Sequence, residues 1–132
     1  RDEFGWRALN KDYFAYGKPC YVPVKYPYLK DVLDVIELTG GISVLAHPGK
    51  LLVQEPELLD EALLMGVQGI EVFHPMHTKK EMASLLKLAT DRKLLVSAGS
   101  GFYNMEGNTR IGRCNCPKEA EGLIDMMLHA RM

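Results

Sequence analysis

Three short apolar runs, 42–46, 69–73 and 94–98, each follow a stretch of helical periodicity, and this alternation constrains the chain more than any other feature. Such runs between amphipathic helices read as buried strands of a parallel sheet, because a helical crossover returns the chain to start the next strand in the same direction. Leu29, Val32, Leu33 and Ile36 recur at helical spacing ahead of a Gly40-Gly41 stop. Pro56 suits the first turn of a second helix with Leu58, Leu59, Ala62 and Leu63 on one face and Gly66 as its terminator. Thr78 and Glu81 form a capping-box pair before a third helix, whose inner face is Met82, Leu85, Leu86 and Ala89. Pro117 opens a last helix with Ala120, Leu123, Ile124, Met127 and Leu128 facing inward. The fold class expected is α/β, with parallel βα units over 28–132.

Residues 1–27 have no sustained period. Their aromatic residues lie among Pro19, Pro23 and Pro27, so a helix over 3–16 followed by an extended arm is expected, docking on the sheet or on a second copy. At 132 residues the chain is one domain's worth, and 47% hydrophobic with 25% charged residues is an ordinary globular balance. Sixteen Lys and Arg against 17 Asp and Glu give a net charge of -1, which disfavours a general nucleic-acid-binding module. No apolar run reaches the roughly 18 to 20 residues that span a bilayer, and no leader pattern is present, so no membrane partner is expected. Three cysteines are odd in number and read as reduced thiols, which points to the cytoplasm. The chain opens at Arg1 instead of Met, as a piece of a longer protein would.

In parallel α/β folds, ligands collect at the carboxyl ends of the strands. That rule selects His47, the loop from His74 to His77, and the segment from Gly99 to Arg113. His47 reads either as a ring facing a metal or phosphate oxygen, or as a histidine satisfied by a turn carbonyl. His74 and His77 could place two rings near one site, yet a catalytic metal usually takes a third protein ligand. Ser100 and Arg110 complete the phosphate-facing candidates. His129 reads as a helix-end residue. Cys114 and Cys116 lack a second cysteine pair and read as non-metal.

Residues 40–49, Gly-Gly-Ile-Ser-Val-Leu-Ala-His-Pro-Gly, resemble a signature of the PHP (polymerase and histidinol phosphatase) metal-dependent phosphoesterases. Residues 69–78, Gly-Ile-Glu-Val-Phe-His-Pro-Met-His-Thr, are similar to a second block of that family, and Ser97-Ala98-Gly99-Ser100 to the approach to a third. The resemblance implies that 1–132 is a single partial PHP-like domain, the C-terminal half of a distorted (β/α)7 barrel. It implies phosphate-ester hydrolysis on nucleotides or short oligonucleotides with zinc, manganese or iron. His47 is the one family metal ligand that carries over. Where the family has Ser-Asp-Phe-His, this chain reads Ser100-Gly101-Phe102-Tyr103, so both ligand positions, Gly101 and Tyr103, are degenerate. A phenol of ordinary pKa about 10 is a poor ligand for these ions. The isolated chain is therefore expected to bind metal weakly and to be inactive. The alternative is a non-catalytic domain that binds a phosphorylated ligand or a protein partner, either a second copy or the missing N-terminal half.

Overall fold

A computed structural model describes residues 3–102 and 110–130. Helix α1 (Glu3–Leu9) runs into a wider π-helical turn at Asn10–Phe14, and an irregular stretch leads to α2 (Leu29–Leu38). Then follow β1 (Val44–Leu45), α3 (Gly49–Gln54), α4 (Pro56–Leu64), β2 (Gly69–Phe73), α5 (Lys79–Arg92), β3 (Leu95–Ala98) and, after one 3-10 turn at Lys118–Ala120, α6 (Glu121–His129). The strands form one parallel sheet in the order β1-β2-β3. The expected α/β class with parallel strands is what the structure shows.

β2 is the central strand and carries the core. Ile70 and Val72 are fully buried, as are Leu59 of α4 and Leu85 of α5, so strand and helices share one apolar cluster. Burying side chains of this size stabilises the fold by roughly 1.5 to 3 kcal/mol each. The register pairs Val44 with Gly69 and Gly69 with Leu95, which brings all three carboxyl ends to one end of the sheet. A bulge between Glu71 and Phe73 shifts the pairing to β3.

Two local expectations are corrected. β1 is shorter than the run 42–46: the Ser43 carbonyl accepts the Gly69 N–H of β2 at 2.9 Å, but its own N–H donates to the Gln68 side chain at 3.1 Å, and its hydroxyl accepts from Gln68 N–H at 3.1 Å. The β1–β2 crossover holds two helices where one, opened by Pro56, was expected: α3 starts directly after His47-Pro48.

The arm opens with the expected helix, α1 and its π-helical turn together ending at Phe14. Its rings meet each other, Trp6 with Phe14 at 6.4 Å and Tyr16 with Tyr21 at 5.3 Å, and Tyr16 stays 87% exposed. Helix α2 has the amphipathic spacing expected, yet it buries none of its residues; Leu33 is its residue packed against the core cluster. Among the described residues no helix is long and apolar enough to cross a membrane.

The capping box at α5 is present in full. Thr78 Oγ1 accepts from the Glu81 N–H at 3.2 Å, while Glu81 Oε2 accepts from the Thr78 N–H at 2.7 Å and its hydroxyl at 2.8 Å. The bonds from Thr78, backbone first, hold the Glu81 carboxyl below the usual glutamate range. A lowered carboxyl contributes stability above its unfolded pKa and loses it as pH falls through the folded value. Thr78→Ala is expected to cost about 1 kcal/mol in urea denaturation at pH 7. Glu81→Gln should remove part of the acid-side slope of stability below about pH 4.3.

Candidate functional site at the carboxyl ends of the strands

His47 leaves β1, His74 leaves β2, and the turn 99–101 leaves β3, so the parallel topology alone brings them to one mouth. The His47 and His74 rings stand 5.1 Å apart, centroid to centroid, and those of His74 and His77 5.8 Å apart. The three rings differ in what their nitrogens are free to do.

His77 is buried with both nitrogens engaged by backbone: Nδ1 donates to the Val72 carbonyl at 2.8 Å, and Nε2 accepts from the Gly49 N–H at 3.0 Å. It latches the end of β2 to the start of α3. Gly49 passes so close to this ring that a Cβ there would sit 2.5 Å from Cδ2. His74 is also buried, at 3% exposure. Its Nδ1 accepts from the Met76 N–H at 3.1 Å, which leaves the proton on Nε2, aimed toward Gly101. Burial pushes the His74 pKa down, with Glu71 pulling it the other way, so the ring is neutral at pH 7 and presents an N–H donor. His47 is exposed and takes φ +31°, a left-handed turn rare outside glycine.

Ser100 is half-buried in the turn beside these rings. Gly101 has φ +60°, and a Cβ at that position would lie 2.7 Å from His74 Nε2. Both the backbone and His74 oppose a larger residue there. Tyr103, the other degenerate position, lies outside the described residues. Arg110 is exposed in a turn closed by Arg113 N–H to its carbonyl, and no described contact brings it to the mouth. The cation beside His47 is Lys50, which lines with Leu45, Leu51, Met76 and His77 a cleft of about 330 Å³. His129 sits apart, its Nδ1 at 2.9 Å from the Asp125 carbonyl within α6.

Sequence reasoning missed Glu71. This half-buried carboxylate accepts the His47 N–H on Oε2 at 2.8 Å. A lone acid in the apolar run Gly-Ile-Glu-Val-Phe was the signal that could have found it. Among the described residues, no three His, Cys, Asp or Glu side chains converge as a metal-holding group.

No family model matches the chain. Individual proteins do. The phosphoribosyl 1,2-cyclic phosphate 1,2-diphosphodiesterase of Eggerthella lenta is 34% identical over 102 residues, 77% of this chain and 38% of that protein. The 3',5'-nucleoside bisphosphate phosphatase of Chromobacterium violaceum is 33% identical over 112 residues, 80% of this chain and 39% of that protein. These relatives are PHP-family phosphoesterases, and the chain is similar to them over about four fifths of its own length. A crystal structure of a metal-dependent phosphoesterase from Bifidobacterium adolescentis shares the fold, with TM-score 0.68 and 24% identity over 89% of this chain and 43% of that one. The chain thus spans well under half the length of the PHP relatives it matches.

The His77 latch carries a prediction. His77→Ala leaves the Gly49 N–H and the Val72 carbonyl without partners in a buried place, at about 1 to 3 kcal/mol for each unsatisfied group. Gly49→Ala drives a methyl into the ring and should destabilise by about 1 to 3 kcal/mol. Combined, the two losses should be less than additive in urea denaturation, since both act on one contact.

Proposed function

We propose that this chain is the C-terminal part of a PHP-family barrel, and that its mouth forms one wall of a phosphate-ester site for nucleotides or short oligonucleotides. One observation carries the reading: His47 and His74 converge at 5.1 Å at the carboxyl ends of adjacent parallel strands. The neutral His74 donates from Nε2, His47 offers an exposed ring, and Lys50 supplies positive charge at the rim. Ser100 and Arg110 are the further candidates for phosphate oxygens.

Family members take divalent zinc, manganese or iron, whose chemistry is to make hydroxide at neutral pH and to stabilise charge on phosphoryl oxygens. The described residues do not fit such an ion on their own. His47 is one ligand, Gly101 offers no side chain, and His74 crowds the space that a side chain at 101 would need. The chain's own residues therefore bind and orient a phosphate ester without hydrolysing it.

The crowding of Gly101 by His74 favours a second reading, a degenerate domain that binds a phosphorylated ligand and no longer turns it over. Both readings place the protein in the cytoplasm. In both, the uncovered α2 face and arm meet a second copy or the remainder of a PHP domain.

The test is calorimetric titration with a 3',5'-nucleoside bisphosphate, followed by an assay for release of phosphate with and without manganese. Binding is expected, with affinity falling about tenfold in His47→Ala, the loss of one good hydrogen bond to a charged group. No turnover is expected in either condition. Turnover with manganese would overturn the inactive reading, and absence of binding would overturn the phosphate-facing one.

A further inference from the structure

A carboxylate in the middle of a central strand is costly unless it is bonded, and Glu71 occupies that place between the buried Ile70 and Val72. Its Oε2 accepts the main-chain N–H of His47 across the β1–β2 boundary. The third strand leaves room for it: a Cβ on Gly99 would fall on top of the carboxylate, so glycine is the residue that fits there. Gly99 is itself pinned, its N–H donating to the Phe73 carbonyl at 2.9 Å. One side chain thus touches all three strand ends.

The residue it grips is the strained one. His47 turns through φ +31° between β1 and α3, a conformation that persists only where neighbours enforce it. That turn is also what brings the exposed imidazole to 5.1 Å from His74. We propose that Glu71 is the positioning residue of this mouth: its charge-assisted bond to the His47 N–H holds the left-handed turn and so sets the His47 ring where a phosphate oxygen meets it.

The proposal rests on the phosphate-facing reading of the mouth, and it departs from simple electrostatics where the charge is kept and its reach is lost. A carboxylate beside an anion site repels the anion, so if Glu71 were only a neighbouring charge, neutralising it would tighten phosphate binding and shortening it would do little. Positioning depends on reach. Glu71→Gln keeps an oxygen at the same distance to accept the His47 N–H, whereas Glu71→Asp keeps the charge and withdraws it by one methylene. Gly99→Ala displaces the carboxylate with both its charge and its length intact.

The experiment uses the full 132-residue chain and these three variants, with circular dichroism to confirm folding. Hydrogen exchange of the His47 amide is followed by NMR, and inorganic phosphate is titrated against the His47 and His74 ring signals. In Glu71→Asp and Gly99→Ala the His47 amide should exchange about tenfold faster or more, as for loss of one hydrogen bond. Phosphate affinity should fall about tenfold with it, the size typical of losing a supporting outer-layer contact. Glu71→Gln should keep the slow exchange and bind phosphate at least as well as the parent. Unchanged His47 exchange in folded Glu71→Asp would overturn the proposal, as would faster exchange with phosphate affinity intact. If the parent chain binds no phosphate, the functional reading fails, while exchange and the His47 ring shift still decide whether Glu71 holds the turn.

Discussion

Everything at the functional end of this molecule depends on the parallel pairing of β2 with a strand on either side. Parallel strands point the same way, so whatever follows each of them in sequence emerges at the same edge. Because β2 is central, its apolar residues are buried while its hydrogen-bonding capacity is met by β1 and β3, and this lets Glu71 reach both neighbours. The short β1 suffices because the Ser43–Gln68 side-chain bonds continue its attachment below the ladder.

The three histidines of the mouth show how one residue type divides into different roles. His77 has both nitrogens in backbone bonds and serves as a latch, His74 has one nitrogen engaged and one facing Gly101, and His47 is exposed on a strained turn. Side-chain chemistry does not distinguish them; their backbone neighbours do. The same holds for Gly101, whose importance lies in its left-handed backbone and in the His74 ring beside it.

Much of the fold was legible in the sequence. The run 69–73 is a strand with the expected bounds, the capping box starts α5 where Thr78 and Glu81 placed it, and Pro56 opens α4. These are local signals, in which a few neighbouring residues satisfy their own backbone. The departures came where partners distant in sequence intervened. The Gln68 side chain takes the Ser43 N–H at the start of β1, and the His77 ring receives the Gly49 N–H at the start of α3. Family blocks around His47 and His74 were also readable, and relatives sharing 33–34% identity bear out the ancestry they implied.

By itself the sequence determined where most helices and strands fall, α3 excepted, that the strands run parallel, and which three loops share an end, because periodicity and crossover length are properties of the chain alone. It determined as well that α2 has an apolar face, but periodicity says nothing of what covers it, and among the described residues Leu33 is its contact with the core. Only the tertiary structure decided that Glu71 clamps His47, that His77 is consumed by backbone, and that Lys50 instead of Arg110 lines the cleft. These depend on distances of a few ångströms between residues some 24 to 28 positions apart, which follow from the strand register and are written in no local pattern.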